Sequence, residues 1–368
     1  MQKIYMTPTD GHFHRQLAHW LLRSLPRGAA RQVGTLSVGI ASDVGIVRFE
    51  NEDRVAACRA RDKFGHHFVV VAVADGIGGM QDGMECAATA IAAIFETVYR
   101  EATTGAGRPA LWLEKALNTA NELVHNYYGG KGGTTIAVTL VGDVGRACWA
   151  TVGDTRIYEF KGQELVQLSK DDTIAGQLGR SNEDSPEQSL LLQYVGMGSG
   201  LVLSITEFDR REDRQLLLCT DGVYFVSPDR KLLKQVLGTA RKLDAAAAPR
   251  RLVEIAKWAG GPDNASAAVI SFPDNLATGI SYPAPGIEVW DSYGEIFFVL
   301  GHNEQGADAA HPEQPRPHVR PKAKKAKKTP AKSGQSKSSK KKGGSAAVEP
   351  DNDTDALPQV QLSFSNDN

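Results

Sequence analysis

Five short acidic clusters are spread along the chain: "RFENED" (48–53), "ADG" (74–76), "VGDTR" (152–156), "CTDG" (219–222) and "GPDN" (261–264). Asp75 and Asp221 each end an apolar run and precede a glycine, and Asp263 sits in the turn before the strand-like "ASAAVISF". Such an arrangement brings carboxylates to one rim of a β-core, where a hydrophobic strand fixes the position of each. Clustered, unneutralised carboxylates repel one another, so a site of this kind holds divalent cations. No His stands among the acids and Cys only at Cys219, which favours hard ions, Mg²⁺ or Mn²⁺ with several waters retained, over zinc. Two such ions about 3.5–4 Å apart can acidify a water between them and clamp a phosphoryl group during in-line attack. Arg48, just upstream of Glu52 and Asp53, offers a guanidinium fork for phosphate oxygens.

Taken singly, each cluster has a plainer reading. Asp-Gly is a common turn, "GDTR" could be a hairpin with a surface ion pair, and "GPDN" an ordinary Asx-turn. The glycines of "VVVAVADGIGGM" (69–80) are not followed by Lys-Ser/Thr, so a P-loop is excluded.

The elements that must position these acids alternate without a regular βαβ rhythm between Leu36 and about Phe272. Strand-like runs are "TLSVGIAS", "HHFVVVAVAD", "TTIAVTLVGD", "RACWATVGD", "TRIYEF", "GLVLSITEF", "RQLLLCTD" and "ASAAVISF". Helical spacing marks "GMECAATAIAAIFETVYREA", "ALWLEKALNTANELVHNYY" and "AAAAPRRLVEIAKWAG". Short turns at Gly142-Asp143 and Lys161-Gly162 suit antiparallel meanders, and long helices beside them predict a layered α+β domain.

Composition bounds the rest. The formal net charge is −1, yet twelve basic residues fall between Arg316 and Lys342, leaving the body near neutral and unlike a nucleic-acid binder. Four scattered cysteines without a Cys-x-x-Cys pair argue against a zinc ribbon or disulfide framework and suit a reducing cytoplasm. No apolar run reaches the roughly 18 residues of a membrane span. Residues 1–34 read as an amphipathic, acid-poor N-terminal extension, with Phe13, Leu17, Trp20, Leu21 and Leu25 at helical spacing. A short helix packed on the domain or a partner, a targeting presequence and a membrane-surface helix all fit that pattern. A core domain is expected over 35–273, a hairpin or partner-binding segment over 274–301, and a disordered tail, Lys-rich and then acidic, over 302–368.

In this order, "SDVGIVRFENEDR", "VVVAVADGIGGMQDGMECAA", "GGTTIAVTLV…ACWATVGDTRIYEF", "LLLCTDGVYFVS" and "GPDNASAAVISF" resemble the motifs of the metal-dependent Ser/Thr protein phosphatases of the PPM/PP2C family, bacterial branch. The resemblance spans about residues 35–273. It implies a four-layer αββα sandwich of two antiparallel sheets flanked by helices, with two core Mn²⁺ or Mg²⁺ ions and room for a third in a cleft at one end. Carried over residue by residue, Asp75 bridges the metals and Gly76 supplies its carbonyl. Asp221 and Asp263 complete one site and Glu52 the other, Asp53 acts through water, Asp154 serves a third metal, and Arg48 clamps phosphate. Direct attack on phosphoserine or phosphothreonine by a bridging hydroxide follows, with no phosphoenzyme. The rival reading is a catalytically weak phospho-reader or scaffold acting through its tail.

The chain departs from the pattern at Ile77 and Met80, where relatives carry a histidine, so no side-chain acid is assigned and a metal-bound water is the default donor. The flap-like segment 169–200 opens Lys-Asp-Asp in place of Arg-Asp-His. His66 and His67 read as edge-strand surface residues, and Trp112, Trp149 and Trp258 as core. Expected partners are phosphoprotein substrates and a cognate Ser/Thr kinase, for a monomer. The basic tail reads as solubilising, or as docking an acidic partner, ahead of nucleic acid or anionic lipid.

Overall fold

The computed structural model describes residues 4–6, 13–23, 27–105, 107–143, 147–180, 186–210, 214–240, 243–272 and 285–300. The tail expected over 302–368 lies outside the described residues. From the N-terminus the chain forms β1 (Ile4–Met6), α1 (Phe13–Leu21), β2 (Gly28–Gln32), β3 (Val38–Asp43), β4 (Arg54–Arg61) and β5 (His67–Gly76). Two long helices follow, α2 (Gly83–Thr104) and α3 (Pro109–Tyr128), then β6 (Thr134–Gly142), β7 (Ala147–Val152), β8 (Arg156–Lys161) and β9 (Glu164–Gln167). The remainder holds α4 (Ile174–Gln177), β10 (Thr206–Phe208), β11 (Arg214–Cys219), α5 (Asp221–Tyr224), α6 (Lys231–Ala240), α7 (Ala247–Trp258), β12 (Ala265–Ser271), β13 (Gly286–Asp291) and β14 (Glu295–Val299).

These strands make two sheets, one in the order β1-β14-β13-β4-β5-β6-β7-β10 and the other β2-β3-β12-β11-β8-β9. Pairing is antiparallel except at one edge, where β1 runs parallel to β14. The two come from opposite ends of the folded body, so no tight turn dictates their direction.

The period of two along β5 explains the layering. Phe68, Val70, Ala72 and Ala74 face the helices α1–α3 in one core, while Val69, Val71 and Val73 face the second sheet in another. A strand buried on both faces reads as a continuous apolar run, which is why "HFVVVAVA" lacks alternation. A third core joins the outer face of the second sheet to α5, α6 and α7. The result is the expected αββα sandwich.

Several expectations need correction. Strand β4 went unread because "RVAACRAR" carries three arginines, yet Arg59 is buried between sheet neighbours and paired to Glu288 of β13 at 2.9 Å. Strand β2 lies inside the segment read as an extension, while α1, with Leu17 and Leu21 fully buried, agrees with the reading of a short helix packed on the domain. Only the last three residues of "LVLSITEF" form a strand. His67 is buried and contacts Asp143, because β5 is an interior strand, whereas His66 is exposed beside Asp62. Trp258, expected in the core, is 73% exposed at the end of α7; Trp112 is buried and Trp149 packs partly against the inter-sheet core. "GDTR" is no hairpin: it carries the chain from β7 in one sheet to β8 in the other, and its arginine, Arg156, is buried against Asp171 at 2.6 Å.

Candidate active site

Strand parity places the acids. Asp75 continues the row Val69, Val71, Val73, and Asp53 continues the row Ala57, Val55, so both face the space between the sheets at one end of the sandwich. From the second sheet, Thr220 extends the row Leu216, Leu218, and Ser266 the row Ile270, Ala268. The apolar filling between the sheets therefore gives way to a polar plug. Thr220 Oγ1 donates to Asp53 Oδ2 at 2.9 Å and accepts from the Ser266 amide at 3.0 Å. Ser266 Oγ bonds Ser42 Oγ at 2.9 Å, and Asn51 Nδ2 donates to the same Ser42 oxygen at 2.8 Å.

Asn264 ties its own loop before β12 to both ends of the β3–β4 connection. Its Oδ1 accepts from the Glu52 amide at 2.8 Å, and its Nδ2 donates to the carbonyls of Val44 at 2.9 Å and Glu50 at 3.0 Å. This clasp sets Glu52 beside the carboxylate rim. A Cβ on Gly76 would lie 2.3 Å from the Gly83 carbonyl oxygen, and one on Gly222 would lie 2.0 Å from that of Asn264. The glycines after Asp75 and Asp221 thus let the backbone segments close around the acids. The Asp75 carbonyl accepts from Thr134 Oγ1 at 2.7 Å, and the Asp154 carbonyl from Tyr224 at 3.1 Å.

The carboxylates sense one another. Burial, reinforced by Asp53, Asp221, Asp154 and Asp263, holds Asp75 well above the usual carboxylate range. Burial and the neighbours Asp221 and Asp263 push Asp53 up to about 7, against the hydroxyls of Thr220 and Ser266. Asp154 rises to about 8 through burial with Asp221 and Asp171, and Asp221 to about 6 through burial and Asp263. Glu52 is also raised, chiefly by burial, with Arg48 opposing. Arg48 is exposed and donates to Asp263 Oδ2 at 2.7 Å. All seven sequence-predicted side chains, Arg48, Glu52, Asp53, Asp75, Asp154, Asp221 and Asp263, thus fall into one electrostatic neighbourhood with Gly76.

Among the described residues no three His, Cys, Asp or Glu side chains stand as a closed ligating group. A hard divalent cation still fits the donors: they are carboxylates and carbonyls with charge in excess, Asp53 Oδ1 is buried without a hydrogen-bond partner, and such ions keep part of their water shell. Three residues of this framework were missed in the sequence. Asn264, Thr220 and Tyr224 each adjoin or follow closely an acidic position, a weak signal that gains meaning only from their partners. At the two positions where the motif resemblance leads one to expect a histidine, Ile77 donates its amide to the Gly133 carbonyl and Met80 its amide to the Ile77 carbonyl, and neither side chain can carry a proton. In the Lys170-Asp171-Asp172 segment, Asp171 holds Arg156, while Asp172 Oδ2 accepts from the Gly153 amide at 3.0 Å.

The class defined by this sandwich and its acidic end is matched by a family model. The model described as protein phosphatase 2C covers residues 49–256, more than half of the chain, and the chain belongs to that family. It is 29% identical over 258 residues to the serine/threonine protein phosphatase PstP of Mycobacterium tuberculosis, covering 67% of this chain and 46% of that protein. The serine/threonine phosphatase stp of Listeria innocua is 26% identical over 238 residues, covering 61% of this chain and 90% of stp. The chain thus spans about half the length of PstP and most of stp. Among solved structures, the PPM Ser-Thr phosphatase MsPP of Mycobacterium smegmatis, in complex with cacodylate, aligns with a TM-score of 0.54 at 29% identity, over 66% of this chain and all of that one. The catalytic domain of PstP with two manganese ions aligns with a TM-score of 0.50 at 26% identity, over 66% and 97%.

Proposed function

We propose that this chain is a metal-dependent phosphoprotein phosphatase acting on phosphoserine and phosphothreonine, opposing a Ser/Thr kinase. The observation that carries the reading is the convergence of the buried carboxyls Asp53, Asp75, Asp154 and Asp221 at one end of the sandwich, each held above its usual range first by burial and then by its acidic neighbours, a set of donors that divalent cations would neutralise. Asp75, Asp221, Asp263, Glu52 and the Gly76 carbonyl are the residues that would hold two Mn²⁺ or Mg²⁺ ions, with Asp53 acting through water and Asp154 available to a third. Bound there, such ions neutralise the acids, lower the pKa of a coordinated water and draw charge from a phosphoryl group.

The chain's own residues do the rest. Arg48 leaves its contact with Asp263 to grip phosphate oxygens, exchanging one charge-assisted hydrogen bond for another. Asn264 and Thr220 hold Glu52 and Asp53 against the pull of a bound charge. With Ile77 and Met80 unable to protonate a leaving alkoxide, solvent at the site serves that step.

Hydrolysis of p-nitrophenyl phosphate and of a phosphothreonine peptide, with Mn²⁺ and then with chelator, tests the reading. Turnover should vanish with chelator. Asp75→Asn should cost more than about 100-fold, the upper range for residues that only support a ligand; full turnover in that variant would overturn the reading. Among the described residues no helix is long and apolar enough to cross a membrane.

A further inference from the structure

A cavity of about 280 Å³ opens beside the carboxylate end, between the end of α1, the loop before β4, the start of α2 and the β13–β14 turn. Asp53 belongs to both its wall and the acidic cluster. Its apolar lining is Leu22, Val44, Phe49, Val55, Met84 and Tyr293. Two of its three arginines are already committed. Arg54 donates to the carbonyls of Leu21, Asn51 and Asp53, and Arg23 to the Trp20 carbonyl and to Asp291. The wall's charges are thus largely engaged within the protein, and the buried Ser292 hydroxyl has no hydrogen-bond partner.

Phe49 is fully exposed at this cavity, and it directly follows Arg48. Ile46 and Val47, 59% and 62% exposed, precede Arg48 on the same loop. The loop is not loose: the amides of Ile46 and Val47 both donate to the Gly261 carbonyl, at 2.9 and 3.1 Å, and Arg48 is tied to Asp263. Three large apolar side chains are therefore held in water around the exposed guanidinium of Arg48, which reaches the acidic cluster through Asp263. Holding them there exposes apolar area, at about 25 cal/mol per Å² relative to burial, unless a bound molecule covers them.

We infer that the Phe49 cavity is a substrate subsite that takes an aliphatic or aromatic side chain flanking the phosphorylated residue, so that phosphopeptides with an apolar neighbour are preferred. This rests on the phosphatase reading above. The occupant follows from continuity: the cavity is lined by Phe49, which directly follows the phosphate-clamping Arg48 in the chain, and by the buried Asp53, which belongs to the acidic cluster. Its volume suits one side chain, and its walls are apolar where they are not internally paired. Cover by a second copy of the chain would also hide the loop, and it would close access to Arg48.

The test uses the full chain with Mn²⁺ and single-phosphothreonine peptides in which leucine or phenylalanine is walked through the flanking positions of an otherwise alanine sequence. At one flanking position the apolar peptide should show kcat/KM about tenfold or more above its alanine counterpart, carried mainly by KM. Phe49→Ala, a change at an exposed side chain that should not disturb folding, should bring that ratio near one, and Phe49→Leu should retain most of it. Equal kcat/KM at every position in the unaltered protein, or a ratio unmoved by Phe49→Ala, overturns the subsite while leaving the phosphatase reading intact. Loss of the preference upon concentration-dependent dimerisation, followed by sedimentation, would assign the loop to a second copy and overturn it too. Absence of Mn²⁺-dependent p-nitrophenyl phosphate hydrolysis would instead remove the phosphatase reading and the subsite with it.

Discussion

At the scale of single residues, the acids owe their positions to uncharged polar neighbours. Thr220 is fully buried, and its hydroxyl is both donor to Asp53 and acceptor from Ser266. Replacing it with the near-isosteric valine leaves a buried carboxylate oxygen and a buried amide without partners. Thr220→Val should therefore destabilise the fold by about 2 kcal/mol in denaturant unfolding and weaken Mn²⁺ binding measured by calorimetry. Serine at the same position keeps the hydroxyl and should recover most of both. The sequence displayed the acids plainly because each belongs to a short acidic cluster at the edge of a strand-like run, Asp75 and Asp221 closing theirs. It did not display Asn264 or Thr220 as supports, since their roles lie in bonds to residues far away in the chain: the Asn264 bonds to Val44, Glu50 and Glu52 span more than 200 positions.

At the scale of elements, β5 and α2 meet through glycine. The Gly76 Cα faces the Gly83 backbone so closely that an added methyl would sit 2.3 Å from a carbonyl oxygen, and backbone cannot swing away as a side chain can. Gly76→Ala should cost about 1–3 kcal/mol by forcing the start of α2 outward. It should also lower metal affinity, because the same shift moves the Gly76 carbonyl. A thermal melt with and without Mn²⁺ checks both effects. Helices α2, α3 and α7 were legible from their apolar spacing. Strand β4 was not: its arginines suggest a surface, and only pairing with Glu288, itself on a strand near the far end of the folded body, makes Arg59 a buried residue. Helix α6 has a start signal in Ser227 and Asp229, whose side chains accept from the Leu232 and Lys231 amides, but its apolar face of Leu233, Val236, Leu237 and Ala240 is short.

For the whole molecule, the crowded acids link stability to pH and to metal. Asp221, Asp53 and Asp154 ionise in the folded chain near 6, 7 and 8, against an ordinary value of 3.8. A carboxyl with a raised folded-state pKa holds its proton more tightly when folded, so its favourable contribution is complete below about pH 4 and is lost as pH rises through 6 to 8. Metal-free protein should accordingly melt at a higher temperature at pH 5 than at pH 8. Added Mn²⁺ should raise the melting temperature more at pH 8, where the acids are ionised and free to bind it. A melting temperature that rises from pH 5 to pH 8 in chelator would contradict the electrostatic account.

The sequence alone singled out the acidic groups proposed for the chemistry and placed them at the ends of strand-like runs. An apolar run closed by Asp-Gly, as at Asp75 and Asp221, is a local pattern, and five acidic motifs in order resemble a family. Only the tertiary structure decided which way each acid points and what it costs to hold them together. The period of two aims Asp53 and Asp75 between the sheets, but whether that space is filled by valines or by a polar plug depends on the register of a second sheet drawn from other parts of the chain. The same holds for Phe49, Trp258 and His67, whose exposure or burial is set by partners that no local pattern names.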